Sequence, residues 1–163
     1  MIRVGILTAS DKGSQGLRED KSGPTIALRM SEIQGEVVYT VIVPDDRALI
    51  SAELIKMCDE MDLHLVLTTG GTGMSMRDIT PEATKDVLDR EMPGIPEAMR
   101  AKSLEFTNRA MLSRAVAGIR KQTLIINMPG SPKAVSECLD VILPVLEHGI
   151  QILRGETGEC ARK

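Results

Sequence analysis

Three glycines fall in four positions at Gly70-Gly71-Thr72-Gly73, directly after an apolar run, and a carboxylate follows at Asp78. Glycines at this density let a backbone take positive φ and come close to a ligand. The exposed N–H groups of such a turn can cradle an anion, with Thr69 and Thr72 as further hydroxyl donors. The competing reading is a tight turn without function, but the flanking threonines exceed what a turn requires. The loop is not a Walker A sequence, because no Lys-Ser/Thr closes it, and its glycines are not spaced as GxGxxG. Neither an ATPase P-loop nor a nicotinamide fold is supported.

Two carboxylates stand near this loop in the reading. Asp78 either orients Arg77 or assists a helix cap at Thr80, or it holds Mg²⁺, which takes hard oxygen ligands and keeps several waters. Asp45, in Pro44-Asp45-Asp46, is either a helix N-cap or a second carboxylate of that kind. A pair of carboxylates beside a phosphate loop suits metal-assisted nucleotidyl transfer, because carboxylate and phosphate repel unless a cation lies between them. Pro129-Gly130-Ser131-Pro132 opens another helix, whose N-terminus is either a plain entry turn or an anion site. Lys133 and Arg114 are candidate countercharges or solvated surface residues.

The elements that must position these groups alternate in type. Arg3–Ala9 is an apolar run and reads as a buried strand, Glu36–Val43 is β-branched, and Leu63–Thr69 and Thr123–Met128 complete a set of four strands. Between them lie helical patterns. Ser22-Gly23-Pro24 opens one bearing Ile26, Met30 and Ile33. Ile50, Leu54, Met57 and Cys58 form a stripe at helical spacing. Thr80-Pro81 starts a third helix with Ala83, Val87 and Leu88 inward. Two more helical stretches are expected over 96–106 and 109–118, with 10–21 as a polar loop. The last helix carries Val135, Cys138, Leu139, Ile142 and Leu143; Pro144 is expected to end or kink it, and Val145–Leu153 to continue helically.

Apolar strands alternating with helices imply a mostly parallel sheet covered on both faces. Ligands of such sheets sit outside the carboxyl ends of the strands. Ser10-Asp11, Pro44-Asp45-Asp46, the glycine loop and Pro129–Pro132 each follow a strand, so parallel strands place all four on one edge. That edge is the expected site.

Composition narrows the function classes. The 163 residues are 42% hydrophobic and 26% charged, which suits one globular domain over 1–154 with a polar tail over 155–163. With 20 basic against 23 acidic residues, the formal charge of −3 offers no basic stripe for nucleic acid. Tyr39 and Phe106 are the sole aromatics, too few for a base-stacking platform, and ten methionines help fill the core instead. Cys58 and Cys138 read as core residues, Cys160 as part of the tail, and neither His64 nor His148 shares metal-ligand spacing with them. No apolar run is long enough for a membrane span and no signal peptide is visible, so a cytoplasmic protein is expected.

Taken together, Leu67-Thr68-Thr69-Gly70-Gly71-Thr72-Gly73, Arg77-Asp78-Ile79-Thr80-Pro81-Glu82-Ala83 and Met128-Pro129-Gly130-Ser131-Pro132-Lys133 resemble the molybdenum-cofactor biosynthesis proteins of the MogA/MoaB type. Ser10-Asp11, Pro44-Asp45 and Leu112-Ser113-Arg114-Ala115-Val116 match in order and spacing. The resemblance covers nearly the whole chain. It implies a three-layer α/β/α sandwich assembled as a homotrimer or a dimer of trimers. It also implies Mg²⁺- and ATP-dependent transfer of AMP to the terminal phosphate of molybdopterin, with release of pyrophosphate. Asp45 and Asp78 then fall on the family's two key carboxylates. Thr69, Gly70, Gly71, Thr72 and Gly73 line the pterin-phosphate and nucleotide pocket. Pro129, Gly130 and Ser131 lie in its nucleotide part, with Ser10 and Ser113 nearby. The compact part after Pro132 resembles MoaB-type members and keeps a second reading, a non-catalytic molybdopterin carrier. A molybdenum insertase is the implied partner.

Overall fold

The computed structural model describes residues 1–156; the expected tail lies outside the described residues from 157 onward, and Cys160 with it. The chain opens with β1 (Ile2–Ala9), a single helical turn α1 (Asp11–Ser14), and α2 (Ser22–Arg29), which runs on as a 3-10 turn at Met30–Ile33. Then come β2 (Gly35–Val43) and α3 (Arg47–Ile55), which passes into a π-helical turn at Lys56–Glu60. They are followed by β3 (Leu65–Thr69), α4 (Thr80–Lys85), a two-residue β4 (Arg90–Glu91) and α5 (Gly94–Ser103). A 3-10 turn at Asn108–Leu112, β5 (Ala117–Arg120), β6 (Thr123–Met128) and the long α6 (Pro132–Leu153) complete the described chain.

Six strands among the described residues form one sheet in the order β2-β1-β3-β6-β5-β4. The first four run parallel, β5 runs against them beside β6, and β4, antiparallel to β5, returns to their direction. Side chains alternate across the pleat. Val4, Ile6, Leu65, Leu67, Leu124 and Ile126 pack toward α2, α5 and α6, whereas Leu7, Val66 and Ile125 pack toward α3 and α4. The result is the expected three-layer α/β/α arrangement. β2 departs from a strand buried on both faces: it is an edge strand whose residues alternate between half-buried and exposed as far as Val43.

Four expectations need correction. Residues 109–118 are not a helix. They form the 3-10 turn and then enter β5, where Gly118 lies so close to β4 that a Cβ would sit 2.5 Å from Arg90 O. Residues 10–21 are not loop throughout, since Ser10 caps α1 by accepting from the Gly13 N–H at 2.9 Å. The third strand begins at Leu65 rather than Leu63. Pro144 does not end α6, which stays helical over 145–153 as expected. It is exposed, and the helix continues past it because Leu143, Leu146 and Ile150 keep the same face buried.

Candidate functional site

The parallel registers set the geometry of the site. Ala9 pairs with Val43, Thr8 with Thr69, and Thr69 with Met128, so β1, β2, β3 and β6 end level with one another. The segments that follow open on one edge around a cleft of about 560 Å³. Ser10, Asp45, Thr69, Gly70, Gly71, Asp78 and Gly130 line it, and Arg18–Ser22 form the opposite wall.

Two glycines of the loop are dictated by conformation and by space. Gly70 has φ +87° and a Cβ there would lie 2.4 Å from Ala9 O. Gly71 has φ +69°, and a Cβ would lie 2.3 Å from Thr80 Oγ1 and 3.2 Å from Asp45 Oδ1. Any L side chain is strained at such φ values. At Gly73 the restriction is space alone, with Asp78 Oδ2 2.8 Å from a built Cβ. The Gly71 carbonyl accepts from the Thr80 N–H at 3.1 Å, while the Gly71 N–H donates to no acceptor among the described residues. The expected hydroxyl donors fare differently. Thr69 Oγ1 donates to Pro129 O at 2.6 Å, tying the glycine loop to the turn after β6, and Thr72 is buried outside the cleft.

The capping reading of Asp45 falls to its neighbour. Asp46 is the N-cap of α3, accepting from the Leu49 N–H at 2.9 Å, which leaves Asp45 to the cleft. Asp45 is locked instead to Asp11. The Asp11 N–H donates to Asp45 Oδ2 at 2.9 Å and the Asp45 N–H donates to Asp11 Oδ1 at 3.0 Å. Arg77 reaches Asp11 with two bonds of 2.9 Å, so it orients that carboxylate and not Asp78. Burial pushes the Asp45 carboxyl above its ordinary range, and repulsion from Asp11 and Asp78 adds to this. The Arg77 guanidinium holds Asp11 below the usual range. Asp78 does not cap α4, whose N-cap is Ile79 without a side-chain bond. Its Oδ2 accepts from the Ser75 N–H at 2.9 Å and closes the loop.

The turn after β6 divides its duties. Ser131 caps α6 by accepting from the Ala134 N–H, so its part is helix entry, while Gly130 faces the cleft and its carbonyl accepts from Ser22 Oγ at 2.8 Å. Ser10 lines the cleft as well as capping α1. Pro129 and Ser113 instead face a second cavity of about 210 Å³ between α5, α6 and the 3-10 turn at Asn108–Leu112. Lys133 is exposed. Arg114 is no solvated residue, since its side chain binds Gly73 O, Asp78 O and Glu82.

Sequence reasoning placed Asp11 on this edge without giving it a role, and missed Asp20 and Asn127. Asp11 had a local signal, Ser-Asp directly after a strand. Asp20 accepts from Thr8 Oγ1 at 2.7 Å and from the Ser22 and Gly23 N–H groups, and the run Asp20-Lys21-Ser22-Gly23-Pro24 carries that turn signature. Asn127, fully buried in β6, donates to Thr68 Oγ1 and Thr84 Oγ1 and accepts from the Val116 N–H. A lone Asn inside an apolar strand was its signal.

A mixed α/β sheet with a glycine loop and two carboxylates at the carboxyl edge of its parallel strands has the layout of α/β proteins that bind ligands at that edge. Over residues 5–148 the chain matches the probable molybdopterin binding domain, and it belongs to that family. It is 47% identical over 156 residues to molybdopterin adenylyltransferase of Helicobacter pylori (strain ATCC 700392 / 26695), covering 94% of this chain and 89% of the relative. It is 45% identical over 174 residues to molybdopterin adenylyltransferase of Escherichia coli (strain K12), covering 98% and 89%. Among solved structures, the molybdopterin biosynthesis enzyme MoaB of Thermus thermophilus superposes with a TM-score of 0.90 at 48% identity, covering 95% of this chain and 98% of that one.

Proposed function

We propose that this chain is a molybdopterin adenylyltransferase of molybdenum cofactor biosynthesis. The observation that carries the reading is the meeting of Asp45, Gly71, Asp78 and Gly130 in one cleft. In the reaction an oxygen of the pterin's terminal phosphate attacks the α-phosphorus of ATP. The new P–O bond forms as the α–β bridging bond breaks, and pyrophosphate leaves with the electron pair. Both reactants are anions, so positioning and charge neutralisation must supply the catalysis.

The chain's own residues suit that task. Gly70 and Gly71 let the backbone approach a phosphate without a side chain in the way, and the Gly71 N–H makes no hydrogen bond among the described residues. Among the described residues no group of three or more His, Cys, Asp or Glu is placed to hold a metal alone. That fits Mg²⁺, which is held by one or two carboxylates plus substrate phosphates and water. Asp45 and Asp78 would be its protein ligands. Burial raises the Asp45 carboxyl first and the charges of Asp11 and Asp78 add to it, and a cation would relieve that added repulsion. Mg²⁺ bound there would offset charge on the reacting phosphates. The lock between Asp11 and Asp45 fixes where that charge is needed.

The same reading makes the chain a homotrimer, or a dimer of trimers, that passes its product to a molybdenum insertase. Light scattering checks the first part. The test of the activity is pyrophosphate release from Mg-ATP on adding molybdopterin, with release expected from the wild type and lost in Asp78→Asn. Tight pterin binding without any ATP affinity by calorimetry would make the chain a carrier and overturn the enzyme.

A further inference from the structure

One arginine ties both ends of the glycine loop together. Arg114 lies between the 3-10 turn and β5, and its N–H donates to Thr72 O at 2.8 Å. Its Nε donates to Gly73 O and its Nη2 to Asp78 O, each at 2.7 Å. These carbonyls flank the exposed excursion 74–77. Nη1 pairs with Glu82 in the first turn of α4, and Glu82 Oε2 is buried with no hydrogen-bond partner among the described residues. The carboxylate is therefore committed to the guanidinium.

We propose that Arg114 is a positioning residue for the adenylyl transfer described above, an inference that rests on that reading. It holds Asp78 through the backbone and keeps the loop in reactive geometry, with Glu82 orienting the guanidinium. The competing role is a countercharge to substrate phosphates. The two roles predict different outcomes because a planar fork can bridge two carbonyls and a carboxylate, whereas an ammonium is a point charge.

Two variants decide between them. Arg114→Lys keeps the charge and loses the fork. Glu82→Gln leaves the arginine and removes its neutralising partner. Positioning predicts that both lower kcat by roughly 10- to 100-fold, the scale of a misplacement near 1 Å, with KM for ATP near that of the wild type. It also predicts faster hydrogen exchange at the Ser75 and Asp78 amides, which bond within the loop at 2.9 Å, with β3 and β6 unchanged. Wild-type kcat in Arg114→Lys, or a lower KM for ATP with kcat retained in Glu82→Gln, would overturn the proposal in favour of a countercharge. Unchanged exchange at both amides would sink the clamp alone. A wild-type chain without transfer activity would sink the proposed function, and the kinetic role with it.

Discussion

Gly71→Ala tests the geometry of the loop directly. The added methyl meets two separate costs. At φ +69° an L residue is strained by ~1–2 kcal/mol. The methyl also lands 2.3 Å from Thr80 Oγ1 and 3.2 Å from Asp45 Oδ1. Thr80 is fully buried at the start of α4, so it cannot swing away, and overpacking of this kind costs about 1–3 kcal/mol. The sum is roughly 2–5 kcal/mol, which in a domain of this size lowers Tm on the order of 10 °C. The assay is urea unfolding at one fixed protein concentration, because assembly makes stability concentration-dependent. Gly130→Ala is the control, since its Cβ would meet nothing nearer than Gly70 Cα at 3.6 Å. Thr80→Ala then separates the two costs. Thr80 Oγ1 has no hydrogen-bond partner among the described residues, so deleting it sacrifices no bond and removes the nearest clash. In that background Gly71→Ala should lose most of the overpacking cost and retain chiefly the conformational cost of ~1–2 kcal/mol, with milder crowding from Asp45 Oδ1 at 3.2 Å. Equal losses for Gly71→Ala and Gly130→Ala, or an undiminished loss with Thr80→Ala, would refute the reasoning.

Two further perturbations follow from the same contacts. Asp45→Asn should abolish adenylyl transfer while raising Tm at neutral pH. A carboxyl whose folded pKa is raised opposes folding once pH climbs past its unfolded value, and that penalty vanishes in acid. The Tm advantage of the variant should therefore fade as pH falls below about 4, the ordinary carboxylate range, and an advantage persisting there would contradict the cause given. Asn127→Leu strands the Val116 N–H, which Asn127 Oδ1 accepts at 3.2 Å, and should cost about 1–3 kcal/mol from that group alone; unfolding free energy equal to wild type would show the Asn to be incidental.

The parts legible in the sequence were those with local signals. Apolar runs ended by glycine, proline and aspartate marked β1, β2, β3 and β6, and their shared direction put Asp45, the glycine loop, Asp78 and Gly130 on one edge. The reversed strand β5 and its short neighbour β4 were not legible. β5 turns into β6 through Lys121-Gln122, and Lys121 takes φ +52° without the glycine or asparagine that usually marks such a turn. α6 outlasts Pro144 because burial of one face outweighs a local break, and the helical reading of 145–153 had that continuation. Arg114 meets Gly73 and Asp78 across 41 and 36 residues. Side chains that serve distant backbone carbonyls leave no periodic trace, so a clamp and a solvated arginine look alike in the sequence.

Following label from ATP into molybdopterin shows whether the adenylyl group is what this chain transfers. With ATP labelled at the α-phosphorus, the wild type should give labelled, adenylylated pterin and unlabelled pyrophosphate, and Asp78→Asn should give neither. Label moving from the γ-phosphorus instead, or equal transfer by Asp78→Asn, would contradict the proposed mechanism.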